Sequence, residues 1–359
     1  MAWVAGCSDP SSSDAGARPP AAKPPAPATG AANGAGTAIG TATATAAPND
    51  PQAVAINTAS APQGAAKGFD PAYMRAEVLL ARAHFSPGVV DGRDGANLRN
   101  AIAAYQQAHG LPVSGSLDPQ TWRALTAADS RPAVTAYVVT QTDVAGPFAP
   151  VITNDDLAAM ARLDRLGYSS PRELLAERFH MDELLLAALN PQADFGKAGA
   201  RILVAALSTQ TLPAPVKTIE VDKSHDQLRA LDEQGTVMAV YPATVGSTER
   251  PAPTGAFTVK GVAHDPVYTY DPKLLTFGDR SAGKLTIKPG PNNPVGVAWI
   301  DLSIPTYGIH GTPDPRLVGK VTSHGCVRLT NWDVTELADA VKAGARVVFL
   351  GEERKAAGV

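Results

Sequence analysis

The sequence predicts a multidomain chain. A mainly-β domain with one helix on its C-terminal side follows a small three-helix domain and a long disordered tether. Three observations predict this. Residues 8–68 are almost wholly Ala, Pro, Gly, Thr and Ser, with too little large apolar surface to offset the entropy of ordering. Residues 69–130 show apolar residues at helical spacing, interrupted by Gly/Pro breaks. From 216 to 351, short β-branched and aromatic runs alternate with Gly/Pro turns.

In chain order, the tether of about sixty residues would reach on the order of 200 Å if fully extended. Ala72 to Phe85 then reads as a helix through Met74, Val78, Leu79 and Ala81 to Ala83. The run Ser86-Pro87-Gly88 to Gly92 breaks it, and Asn97 to His109 forms a second helix through Leu98, Ile102 and Tyr105. After Gly110 to Gly115, Asp118 to Leu125 forms a third, with Asp118 as N-cap and Pro119 at the first position. Residues 134–213 read as an opening strand at Val134 to Thr140, two short helices separated by a turn within Tyr168 to Met181 and Asp182 to Pro191, and a strand at Gly199 to Leu207.

In the mainly-β domain the expected strands are Val237 to Val240, Phe257 to Val262, Leu285 to Lys288 and Ala298 to Ile304. Asn331 to Ala343 is the expected helix, capped by Thr330 and covering the sheet with Trp332, Val334, Leu337 and Val341. Val347 to Leu350 would be the last strand. Pro289, Pro291, Asn292 and Asn293 mark a loop.

The chemistry concentrates between His310 and Arg328. Cys326 is one of two cysteines in the chain, and two of the seven histidines, His310 and His324, lie close to it in sequence. A thiol is mostly protonated at neutral pH, and a neighbouring imidazole that takes the proton makes it a nucleophile for carbonyl carbon. His324 is two residues before Cys326, so an extended strand would set both side chains on one face. Gly325 has no Cβ, so substrate could approach its backbone and its N–H could face a developing oxyanion. His310, 16 residues before Cys326, ends the apolar run Ile304 to Ile309, which reads as a second strand beside the first. A zinc site from His310, His324 and Cys326 would lack a second cysteine or a His-x-x-x-His pair. No metal or cofactor is therefore expected. The other five histidines read as structural, with His264 the one placed to line a cleft.

A histidine, a gap of this order, then Ser323-His324-Gly325-Cys326-Val327-Arg328 resembles the signature of the YkuD-type L,D-transpeptidase family. Tyr241-Pro242-Ala243-Thr244-Val245-Gly246 and Pro253-Thr254-Gly255-Ala256-Phe257 are similar to that family's upstream motifs, so the likeness covers roughly residues 217–351. One departure is Arg328, which stands where many members carry Asn. The resemblance implies that Cys326 attacks the carbonyl between the third residue and D-Ala of a peptidoglycan stem tetrapeptide, releasing D-Ala and leaving a thioester. A second stem's amine, a lipoprotein lysine or water would resolve it. His310 would be the base, with the Gly311 carbonyl orienting its ring, and His324 would shape the thiolate's surroundings. Arg328, Tyr307 and Ser323 would hold substrate. Carbapenems would acylate Cys326. The alternatives are an L,D-carboxypeptidase, in which water resolves the thioester, and a wall-binding lipoprotein with a dead site.

Residues 69–130 resemble the three-helix peptidoglycan-binding domain through the twin Val-x-Gly turns and the Asp118-Pro119-x-Thr121-x-x-x-Leu125 ending, against the alternative of a generic bundle. Residues 134–213 resemble a degenerate LysM module, or serve as a plain spacer. Val4-Ala5-Gly6-Cys7-Ser8 resembles a lipobox in which Cys7 becomes the lipidated residue, with residues 1–7 as the remnant of a signal. Together these imply a periplasmic enzyme held to a bacterial membrane, the outer one by Ser8, through a lipid anchor alone. The net charge of −3 and the absence of a basic stripe exclude nucleic acid as a partner and leave peptidoglycan, with a lipoprotein acceptor as a further client.

Overall fold

The computed structural model describes residues 50–62, 64, 68–153, 156–207, 211–246, 251–273, 281, 283–323 and 325–352. Cys7, the tether up to residue 49 and His324 lie outside the described residues. The tether was expected to run to residue 68, yet α1 already forms at Pro51–Asn57. Its cause is local and tertiary at once. The Asp50 carboxylate caps the N–H groups of Gln52 and Ala53, and Pro51 sits where a missing N–H costs nothing. Ile56 is buried, and Asn57 exchanges two hydrogen bonds with the backbone of Val134.

The helical domain comprises α2 (Pro71–Arg82), α3 (Ala96–Ala108) and α4 (Pro119–Ala128). Asp118 caps α4 as expected. Leu79, Leu80, Leu98, Ile102, Tyr105, Trp122 and Leu125 form its core together with Phe85 and, from the β domain, Val240. The two domains are joined by backbone: Ser86 donates to the Val240 carbonyl at 2.8 Å, and Val240 donates to His84 at 2.8 Å.

Next come β1 (Val134–Val138), the single turns α5 (Gln141–Val144) and α6 (Leu157–Met160), then α7 (Pro171–Arg178), α8 (Glu183–Leu189) and β2 (Arg201–Ala205). β1 and β2 pair antiparallel, so the expected strand-helix-helix-strand order forms, with α5, α6 and the long connection after α5 added between β1 and α7. The core under this sheet takes in Ala53 and Ile56 of α1 and Met74 and Val78 of α2, which makes the segment part of the body rather than a free bead.

The β domain contains β3 (Val216–Asp222), β4 (Gln227–Leu231), β5 (Val237–Pro242), β6 (Thr244–Val245), β7 (Gly255–His264), β8 (Tyr268–Tyr270), β9 (Leu285–Ile287), β10 (Ala298–Leu302), β11 (Gly308–His310), β12 (Val327–Arg328), α9 (Asn331–Ala340) and β13 (Val341–Leu350). Among the described residues, one sheet runs β5-β4-β3-β13-β7-β10-β11-β12-β6, and β8 pairs with β9 apart from it. α9 lays Val334 and Leu337 on the core beside Ile300, Ile309 and Val347.

Three expectations are corrected here. α9 stops at Ala340 instead of residue 343, because Val341 is already extended and pairs with Val216 of β3. β-branched residues favour that state over the helix. Trp332 does not cover the sheet; it stacks on His180 of the preceding segment at 4.6 Å and 9°. β11 is only three residues long, since Thr306 takes a left-handed φ of 71° and turns the chain just before it.

Candidate active site

β11 and β12 lie side by side and parallel, with Ile309 opposite Val327 and His310 opposite Arg328. Cys326, one residue ahead of β12, therefore stands level with Gly308. Side chains alternate across a strand, so His310, Arg328 and Cys326 share one face of the sheet. Ile309 and Val327, on the other face, are buried in the core. This alternation is what lets two-residue and three-residue strands aim polar groups outward from an apolar floor.

His310 is buried, and its Nδ1 donates to the Gly311 carbonyl at 2.7 Å. That bond sets the tautomer: Nδ1 carries the proton and Nε2 keeps its lone pair. Burial pushes the imidazole down to about 3, the Arg328 charge adds to this, and the Gly311 bond opposes it. The ring is thus neutral at physiological pH. Burial raises the Cys326 thiol, against an N–H from Gly308 and the Arg328 charge, which both favour the thiolate. The thiol itself donates to the Thr306 carbonyl at 3.8 Å. Thr306 is β-branched and left-handed, a conformation that costs on the order of 1–3 kcal/mol and turns that carbonyl toward the thiol. The pair rests uncharged, so proton transfer must accompany attack.

The Cys326 loop is held by its own backbone. The Ser323 N–H donates to Gly246 at 2.9 Å, its hydroxyl donates to the Cys326 carbonyl at 2.6 Å, and the Gly325 N–H donates to that hydroxyl at 3.2 Å. Ser323 is buried and its hydroxyl is spent on the loop, so it is not placed to hold substrate as the sequence suggested. The Gly325 N–H is likewise engaged and does not form an open oxyanion donor. Gly325 has a φ of 116°, so the stretch before Cys326 is bent, not the extended strand that was expected. A Cβ there would meet the Tyr307 ring at 3.1 Å, which places Tyr307 directly over the loop.

Arg328 is half-buried, with Cys326, Tyr268 and Asp314 near enough to favour its charge against the cost of burial. Between His310 and Cys326, the loop is pinned from two sides: Gly319 donates to Thr244 at 2.9 Å, and Asn97 of α3 donates to the Val318 carbonyl at 2.9 Å. His264 is exposed, 3.6 Å from Asp339. Among the described residues, no group of three or more His, Cys, Asp or Glu is arranged to hold a metal, and no helix is long and apolar enough to cross a membrane.

Sequence reasoning missed three neighbours of the site. Tyr268 of β8 lies close to Cys326 and Arg328; burial first, then a thiolate at Cys326, raises its hydroxyl. Trp299 of β10 stacks on His310. Asn331, the first residue of α9, donates to Glu177 at 2.9 Å and Pro291 at 3.1 Å and accepts from Val297 at 3.2 Å, behind Gly311. An alternating aromatic before the His310 strand was the available signal for Trp299. The loop at 289–293 is pinned by Leu166, which donates to Pro289 and accepts from Asn292, both at 3.0 Å.

The family model for the L,D-transpeptidase catalytic domain matches residues 216–349. The model described as "Putative peptidoglycan binding domain" matches residues 70–125. The Bacillus licheniformis protein named "Putative L,D-transpeptidase YkuD" is 31% identical over 178 residues, 49% of this chain and 90% of that protein. "Probable L,D-transpeptidase YbiS" of Escherichia coli K12 is 29% identical over 196 residues, 53% of this chain and 63% of its own length. A solved L,D-transpeptidase structure from Xylanimonas cellulosilytica is 17% identical with a TM-score of 0.34, covering 81% of this chain and 98% of that one.

Proposed function

The chain belongs to the YkuD-type L,D-transpeptidase family, and on that footing we propose how its residues carry the reaction. It is an acyltransferase of peptidoglycan with a peptidoglycan-binding domain beside the catalytic one, working outside the cytoplasm. Cys326 is the nucleophile and His310 the base. Nε2 takes the thiol proton as sulfur attacks the carbonyl preceding the terminal D-Ala. The C–N bond breaks, the proton passes to the departing amine, and D-Ala leaves a thioester on Cys326. An acceptor amine then attacks the thioester, gives its proton to Nε2, and the thiol is restored. One observation carries this reading: His310 donates Nδ1–H to Gly311, which keeps Nε2 as acceptor on the face it shares with Cys326.

Around that pair, Arg328 and Tyr307 hold the donor peptide, Arg328 through a fork that suits carboxylates. The role proposed for His324 is to shape the surroundings of the thiolate. The residues 8–49 act as a tether from a lipid on Cys7, which holds the enzyme at the periplasmic face of the outer membrane. Residues 134–213 form a LysM-like unit that adds to wall binding, and the products, 3-3 crosslinks or a lipoprotein joined to the wall, serve wall integrity and cell shape.

The test is product analysis. The reduced full chain is incubated with disaccharide-tetrapeptide and the products are weighed by mass spectrometry. A crosslinked dimer lacking one D-Ala is expected. Tripeptide alone would make it a carboxypeptidase, and unchanged substrate with Cys326 reduced would contradict a catalytic role on this donor.

A further inference from the structure

We infer that Trp299 is a positioning residue for the base: its indole face is the group that stabilises the His310 imidazolium as the thiol proton arrives. The inference rests on the reading of His310 as base. Trp299 and His310 are directly opposite on the antiparallel β10–β11 ladder. Their rings lie 5.4 Å apart between centroids and 16° from parallel. An aromatic face within about 6 Å of a cation attracts it, and indole does so more strongly than a phenyl ring. The fit is made by a gap. A Cβ at Gly308 would stand 2.4 Å from Trp299 Cζ2, so any larger residue there would lift the indole away.

The choice of Trp carries a cost. Its Nε1–H is buried and has no hydrogen-bond partner among the described residues, a debt that a phenyl ring would not incur. Packing alone would favour Phe, whereas a stronger π-face beside a buried base favours Trp. Among the described residues, the other charged or titratable groups near the ring do not supply the same help. Arg328, opposite His310 on β12, disfavours the imidazolium. Cys326 assists only once it has lost its proton. Asp301, two residues on from Trp299 on the same face, stands opposite Gly308 and not His310.

The experiment measures iodoacetamide alkylation of Cys326 against pH, by peptide mapping of the folded, reduced full chain, in the parent, Trp299→Phe, Trp299→Leu and His310→Ala. At pH 7 alkylation should be roughly five-fold slower in Trp299→Leu and about two-fold slower in Trp299→Phe. All rates should converge at high pH, where hydroxide removes the thiol proton and the base is not needed. The Phe variant should be as stable as the parent or more so. A deficit of equal size at every pH, or none in either variant with His310→Ala slow, would overturn the inference alone. A His310→Ala profile equal to the parent's would overturn the reading of His310 as base and the inference with it.

Discussion

Asn331→Ala is the perturbation that joins the fold most directly to the site. The side chain is buried and makes three hydrogen bonds, to Glu177 Oε1, the Pro291 carbonyl and the Val297 N–H. Each of those partners would be left in a site with little water, at a cost of about 1–3 kcal/mol per group. Water entering the vacated space would recover part, so a total of about 3 kcal/mol is expected. Asn331 Oδ1 also lies against Gly311, since a Cβ on that glycine would be 2.2 Å from it. The carbonyl that orients His310 therefore loses its backing, and a displacement well below 1 Å should slow acylation of Cys326 about ten-fold. The assay pairs urea unfolding with the rate of carbapenem acylation read by intact mass. A stability loss under about 0.5 kcal/mol with an unchanged acylation rate would refute the reasoning, because the three bonds would then carry neither fold nor site.

Asp333 is held up to about 8 by burial, with hydroxyls of Thr330 and Ser86 opposing. Its folded value lies above the unfolded one, so the native state keeps a proton that the unfolded chain releases, and stability falls as pH rises from about 4 to 8. Asp333→Asn should gain roughly 2 kcal/mol or more on the parent between pH 4 and 8.5 in urea melts, and a pH-independent difference would contradict this. Gly290 has a φ of 147°, and a Cβ there would lie 2.1 Å from the Leu166 carbonyl. Gly290→Ala should cut that tie, cost about 2 kcal/mol and open residues 146–168 to limited proteolysis; unchanged protection would count against it. Gly325→Ala combines a φ of 116° with a 3.1 Å approach to Tyr307, and should slow Cys326 acylation at least ten-fold while costing about 1–2 kcal/mol of stability, as judged by carbapenem labelling and calorimetry; an unchanged acylation rate would count against it.

The parts read correctly from sequence were those with strong local signals. Asp118-Pro119 announces the α4 cap, and the β-branched run at Val237 announces β5. The His310–Cys326 spacing did place two neighbouring strands together. What the sequence hid depended on distant partners. α1 was folded into the tether because its composition is poor, although Asn49-Asp50-Pro51 carries a start signal; Val134 and the core around Ile56 supply the rest. The ends of β11 and α9 moved because Thr306 and Val341 answer to the thiol loop and to β3. Only the resemblance makes Ser323 a substrate group, and its bonds to the Cys326 carbonyl and the Gly325 N–H reveal a brace. Trp299 and Asn331 were invisible as neighbours of the site because each reaches it across the sheet or from the helix behind, at no fixed sequence distance.

Everything proposed for this site depends on Cys326 forming the acyl-enzyme with His310 taking its proton. That step is tested most directly by trapping the thioester: acid quench within seconds of mixing with disaccharide-tetrapeptide, digestion, and mass mapping of the Cys326 peptide. A disaccharide-tripeptide mass should be added at Cys326 in the parent, be absent in Cys326→Ala and be strongly reduced in His310→Ala. Turnover retained in Cys326→Ala, or an adduct at any other residue, would contradict it.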